Sequence, residues 1–240
     1  MKKNAFITGA NKGIGLETAK QLGALGFKIY VGSRDEARGE QAVAELQSNG
    51  VLAVNVHVNM TDSATFKTAA DLIQSEDGHL DVLVNNAGAS FDKGVRPSEV
   101  SMTQLRNSFE VNFFSQVELT QALLPLLMKS DAARIVNVSS ILGSLTLNSD
   151  PQSPIGDWRS LGYNSSKTAL NAFTAILAYD LRNTNIKVNS GHPGWVKTHL
   201  GGPGALLEVA DGAATNVWLA TLPEDGPTGG FFHMHAKLPW

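Results

Sequence analysis

Short, almost continuously apolar runs alternate with longer amphipathic segments along the whole chain, and few architectures accommodate that pattern. Ala5 to Thr8, Lys28 to Gly32, Val51 to Val58, Asp81 to Asn85, Arg134 to Ser139, Lys187 to Ser190 and Phe231 to Met234 read as strands. Between them, Ile14 to Leu25, Asp35 to Ser48, Asp62 to Ser75, Thr103 to Leu124, Ser165 to Arg182 (entered near Leu161 to Asn164) and Val209 to Leu219 carry apolar residues at helical spacing. Strands apolar at consecutive positions need cover on both faces. Strict β/α alternation then predicts an α/β fold, a doubly wound parallel sheet of about seven strands with helices on both faces. The 240 residues fit one domain spanning 1–240. Ser144 to Ser160 and Gly201 to Ala205 read as long loops rich in turn formers.

Composition narrows the function. There are 19 basic and 22 acidic residues, a net charge of −3, which does not point to nucleic acid or an anionic membrane. The absence of cysteine excludes disulfides, thiolate metal sites and a cysteine nucleophile. Met1-Lys2-Lys3 precedes an apolar run too short for a signal peptide, and no stretch approaches the ~20 apolar residues of a membrane span. The expectation is a cytoplasmic protein. His233 and His235 alternate on the last strand, but a metal site wants a third ligand, and none is near in the sequence, so no metal is expected.

In sheets of this kind ligands bind beyond the carboxyl ends of the strands. After the first strand comes Gly9-Ala10-Asn11-Lys12-Gly13-Ile14-Gly15, opening a helix. Glycines let backbone amides face a pyrophosphate, and the helix N-terminus adds partial positive charge. At the end of the second strand stand Ser33 and Arg34 rather than the carboxylate that takes a ribose 2′-hydroxyl. With Lys12, this favours a 2′-phosphate, hence NADPH/NADP+ over NAD(H). The competing reading makes Lys12 and Arg34 solvated charges, with Asp35 near enough to pair with Arg34. Asn59, Met60 and the run Asn85-Asn86-Ala87-Gly88 end the third and fourth strands, where amides can contact adenine or pin the loop.

Tyr163 and Lys167 are one helical turn apart. An ammonium beside a phenol favours the phenolate, and such a tyrosine can protonate a carbonyl oxygen. Ser140 ends the fifth strand, where its hydroxyl can orient that oxygen. Asn112 lies mid-helix, where a polar amide needs a task such as a water bridge from Lys167. A Tyr/Lys pair alone is an ordinary surface contact. The inference rests on its occurring together with the glycine loop.

These motifs, with Pro193-Gly194, occur in one order, and the chain resembles a single-domain short-chain dehydrogenase/reductase from Asn4 to about Thr198. The resemblance implies Ser140, Tyr163 and Lys167 as catalytic, Asn112 completing a proton relay, Lys167 on the nicotinamide ribose, and Pro193, Gly194, Val196 and Thr198 bordering the nicotinamide. Ser140-Ile141-Leu142-Gly143 matches the family's serine; Ser139 does not. Asn11 to Gly15, Ser33-Arg34-Asp35 and Pro193 to Thr198 further resemble the NADPH-dependent carbonyl reductase branch. Ser140 and Tyr163 stand 23 positions apart, longer than in most tetrameric relatives. The insert Leu145 to Leu161 is expected to cover part of the substrate entrance and to weaken assembly, leaving homo-oligomer and monomer both open. The expected reaction is reduction of a ketone, aldehyde or quinone. Oxidation of an alcohol by an NAD(P)-linked dehydrogenase and a non-catalytic NADP(H) sensor are the alternatives.

Overall fold

The computed structural model describes residues 2–240. Met1, part of the opening considered above, lies outside them. Among the described residues no helix is long and apolar enough to cross a membrane, and no cluster of three or more His, Asp or Glu is placed to hold a metal.

Eight strands form one sheet in the order β3-β2-β1-β4-β5-β6-β7-β8. They are β1 (Asn4–Thr8), β2 (Lys28–Ser33), β3 (Ala53–His57), β4 (Val82–Asn85), β5 (Arg134–Val138), β6 (Lys187–Gly191), β7 (Phe231–His233) and β8 (Ala236–Lys237). The first seven are parallel, and β8 returns antiparallel to β7. The order reverses at β1/β4, where Phe6 lies opposite Tyr30 on one side and Leu83 on the other.

Alternate residues of each strand enter opposite cores. Ala5, Ile7, Ile29, Val31, Val82 and Val84 pack with α1 (Gly13–Ala24), α2 (Glu36–Ser48) and α8 (Val209–Ala220). Phe6, Tyr30, Leu83 and Ile135 pack with α3 (Ala64–Glu76), α5 (Ser115–Leu127) and α7 (Leu161–Asp180). Both faces are covered, which is why the strands read as continuously apolar. Each fully buried side chain such as Phe6 contributes roughly 1.5–3 kcal/mol.

Four elements differ from the sequence expectation. The single helix read over Thr103 to Leu124 is α4 (Met102–Phe109), a π-helical turn (Glu110–Phe114) and α5. Pro125 does not end α5, which runs on to bury Leu126 and Leu127. The segment read as a loop from Ser144 contains a short helix, α6 (Leu145–Ser149), started by the Ser144 hydroxyl accepting from the Leu147 N–H. The last strand stops at His233: Met234 and His235 both adopt positive φ, the two-residue turn that suits a hairpin. His235 therefore lies in the turn against Trp218, while the His233 ring sits 4.9 Å from that of His192.

A buried polar run lies beneath the site. Asn85 donates to Thr120 and Asn137, Asn137 donates to Thr174, and Thr174 bonds Ser190 at 2.8 Å. It ties β4, β5 and β6 to α5 and α7. The Asn85 amide is spent in this core and does not face a ligand.

Candidate active site

The cofactor and catalytic candidates lie at or beyond the carboxyl ends of β1 to β6 or on the helical segments that close there. At the first turn, Gly9 (φ 65°) and Gly13 (φ 55°) take backbone conformations that other residues rarely adopt. A Cβ on Gly15 would lie 2.5 Å from the Gly9 carbonyl oxygen and 2.6 Å from Asn86 Nδ2. The crossing of loop and helix therefore admits no side chain. Asn86 Nδ2 donates to the Thr8 carbonyl at 2.8 Å, and the Thr8 hydroxyl accepts from the N–H groups of Asn86 and Ala87, both at 2.9 Å. The loops after β1 and β4 are thus clasped together, leaving Asn11, Lys12 and Ile14 on the rim. Thr8 belongs to the motif, yet its clasping role has no local signal.

Lys12 and Arg34 are both exposed, and neither has an ion-pair partner among the described residues. Asp35 is occupied elsewhere: it caps α2 by accepting from the Arg38 N–H and faces the Arg38 guanidinium at 3.4 Å. The pairing of Asp35 with Arg34 does not form. Two free cations beside a glycine cradle, with no free carboxylate at the end of β2, fit a phosphorylated dinucleotide in charge.

Other candidates are turned away from the cleft. The Ser33 hydroxyl donates to the Asp35 carbonyl. Asn59 Oδ1 accepts from the N–H and hydroxyl of Thr61, an ordinary turn contact. Met60 and Val196 are buried, Met60 in the core and Val196 against Gly212. At Met60 and Val196 only backbone is free to meet a ligand.

The catalytic candidates converge from three elements. Ser140 follows β5, its oxygen accepting from the Leu142 N–H at 3.2 Å. Ser139 is turned inward toward the Lys167 carbonyl. On α7, buried Lys167 donates from Nζ to the Val138 carbonyl at 2.8 Å and lies 5.9 Å from the centre of the Tyr163 ring. A Cβ on Gly88 would meet Asn112 Oδ1 at 3.3 Å and Lys167 Nζ at 3.4 Å, so this glycine lets both approach the loop after β4.

Burial pushes the Tyr163 phenol above its ordinary range, and the Ser140 hydroxyl pulls the other way. Burial lowers Lys167 to about 8. The expected ammonium-driven phenolate is therefore not the balance found here, because desolvation of the phenol is the larger influence. Asn112 is held on both sides. Its Oδ1 accepts from the Ala89 N–H, and its Nδ2 donates to the Ala89 carbonyl and to Ser166. The π turn places this fully buried amide between the β4 loop and α7, and π turns recur at functional sites.

The loop after β6 closes the site. His192 Nδ1 accepts from the Gly194 N–H at 3.3 Å, and burial, then His233, lowers its pKa to about 3. It is neutral and holds the loop next to Pro193. The Thr198 methyl would lie 3.5 Å from a Cβ on Gly13, which brings the segment from Pro193 to Thr198 across to the glycine turn. Asp92 and Ser166 have no signal in the sequence as site residues, yet both bond the start of α7.

The family model for short chain dehydrogenase matches residues 3–204. Short-chain dehydrogenase/reductase 1 of Saponaria officinalis is 32% identical over 100% of this chain and 96% of its own length. Carbonyl reductase 1 (NADPH) of Mus musculus is 30% identical over 98% of both. An NADPH-bound carbonyl reductase from chicken fatty liver superposes with a TM-score of 0.87 at 27% identity, covering 100% of this chain and 99% of that one. With the glycine turn, the serine after β5 and the Tyr163/Lys167 turn meeting at one end of the sheet, the chain belongs to the short-chain dehydrogenase/reductase family.

Proposed function

We propose that this protein is an NADPH-dependent reductase of a ketone, aldehyde or quinone, with Tyr163 as general acid. The observation that carries the reading is the meeting of Ser140, Tyr163 and Lys167 beside the glycine cradle and the unpaired cations Lys12 and Arg34. The turn from Gly9 to Gly15 would hold the pyrophosphate, and Arg34 and Lys12 would hold the 2′-phosphate. Lys167 would take the nicotinamide ribose, and the backbone from Pro193 to Thr198 would border the ring. When bound there, NADPH would supply the hydride that the carbonyl carbon takes up.

Ser140 orients the carbonyl oxygen. Tyr163, kept protonated by burial, gives its proton to that oxygen as negative charge develops there. The phenolate left behind is stabilised by the Lys167 ammonium, which also brings a replacement proton toward Tyr163. Asn112 holds the wall of the site at Ala89 and, as the family resemblance implies, takes part in that relay. The similarity to carbonyl reductases supports the substrate type.

The test is Tyr163→Phe, assayed against a panel of carbonyl compounds while NADPH and NADH are titrated by tryptophan quenching. General acid catalysis contributes about 10²–10⁴-fold, so kcat falls by at least about 10² while NADPH still binds, and more tightly than NADH. Unchanged turnover in Tyr163→Phe sinks the acid assignment. Tight NADPH binding by the wild type with no turnover on any carbonyl favours the sensor.

A further inference from the structure

Asp92, in the loop after β4, is completely buried and has no ion-pair partner among the described residues. A carboxylate is costly in such a place unless directed donors meet it. Here one oxygen accepts from the Gly162 N–H at 2.5 Å and the other from the Tyr163 N–H at 3.2 Å. Those groups lie in the first turn of α7, where N–H groups have no partner within the helix. Ser160, the residue in the cap position, makes no side-chain cap bond. The cap is supplied instead from 70 positions upstream, and its charge suits the positive end of a 20-residue helix.

The same turn is gripped from a second side. A Cβ on Gly162 would lie 2.7 Å from Ser108 Oγ of α4 and 3.1 Å from Asp92 Oδ2. The start of α7 is thus seated between α4 and the β4 loop, and one of the two bonds falls on the backbone of Tyr163 itself. Lys167, one turn on, is fixed independently by the Val138 carbonyl.

We propose that Asp92 is a positioning residue of the reaction: it sets where the Tyr163 phenol stands relative to Ser140 and Lys167, without touching substrate or cofactor. This rests on the reading of Tyr163 as the acid. A displacement of the order of 1 Å in a reacting group costs about 10²-fold in rate.

Asp92→Ala, Asp92→Asn and Tyr163→Phe are compared with wild type for NADPH-dependent carbonyl reduction, with NADPH affinity measured on the same samples. The expected result is a kcat lowered at least about tenfold in Asp92→Ala and about threefold in Asp92→Asn, whose single oxygen serves one of the two donors. NADPH affinity and the carbonyl KM stay within about twofold, a split that loose packing alone does not produce. If Asp92→Ala fails to fold, Asp92→Asn decides. Wild-type kcat in Asp92→Asn, or in an Asp92→Ala that binds NADPH, overturns the proposal when Tyr163→Phe is inactive. An active Tyr163→Phe overturns the acid role instead, and the positioning role falls with it.

Discussion

Lys167 and Tyr163 are one turn apart, and burial moves their acidities in opposite directions and apart. Lys167 is brought down to about 8, while Tyr163 is pushed above the usual phenol range. As pH rises, the first of the pair to lose a proton is therefore Lys167. The parameter kcat/KM reports ionisations of the free enzyme. Carbonyl reduction is accordingly expected to hold below pH 8 and to decline through about 8 as the ammonium is lost, well before the phenol titrates. Lys167→Arg keeps its charge throughout, so its residual kcat/KM, lowered by the altered geometry, shows no decline in that range. A decline in wild type beginning only above pH 10 identifies the phenol as the titrating group and contradicts this order. The same pair shows what single residues disclose. Tyr163 and Lys167 stand out in the sequence because their spacing occurs together with the glycine loop, and Ser140 because its followers match the family resemblance. Asp92 is not, because its partners stand 70 positions away and a lone aspartate before Lys93-Gly94 looks like turn chemistry.

The π turn from Glu110 to Phe114 is the element that separates a plausible helix from a working wall. Its Ser115 hydroxyl donates to the Glu110 carbonyl at 2.7 Å and also bonds the Met60 carbonyl, and Gln116 donates to the carbonyls of Ala87 and Val111. With Asn112 on Ala89, the turn holds the loops after β3 and β4 from one position. Asn112→Ala leaves the Ala89 N–H and carbonyl without their partner and removes one of the two side-chain contacts of Ser166. Leaving buried polar groups unpaired costs about 1–3 kcal/mol. The urea midpoint is expected to fall by that equivalent with an unchanged slope, and kcat to fall with it. Wild-type stability in Asn112→Ala means that water replaces the amide at Ala89. Strands and most helices are legible because two-sided burial writes itself into the sequence as apolar runs and stripes. The π turn is not: one extra residue per turn leaves the apolar spacing of Thr103 to Leu124 almost intact. Pro125 misleads for a related reason, since burial of Leu126 and Leu127 outweighs the lost backbone bond.

Strand order gathers what the chain keeps far apart. Lys93 follows β4, Trp158 lies in the long segment after β5, and Trp195 follows β6. In the folded molecule the two tryptophan rings are 5.4 Å apart, edge to face, and Lys93 Nζ lies 5.8 Å from the Trp158 ring. Trp195 also donates from its indole to the Gly201 carbonyl at 2.9 Å, and Gly202 lies against Lys93. These contacts form a rim made of three segments that only the completed sheet brings together, and the expectation that the insert covers part of the entrance can be tested on it. The insert is anchored away from the cofactor turn: Thr146 donates to the Trp240 carbonyl, and Asn148 donates to the carbonyls of Leu142 and Ser144. A change in the rim is therefore expected to reach the carbonyl substrate and leave the dinucleotide alone. An aromatic pair adds about 0.5–1.5 kcal/mol beyond its buried area, or roughly two- to tenfold in binding. Trp158→Ala should raise the carbonyl KM by that factor and leave NADPH affinity unchanged, whereas Trp195→Ala, on the loop proposed to border the nicotinamide, should weaken both. Steady-state kinetics with each substrate varied separates the two variants. Equal effects of Trp158→Ala on both substrates show that the rim also forms part of the cofactor's wall, and an unchanged KM removes Trp158 from the substrate's path.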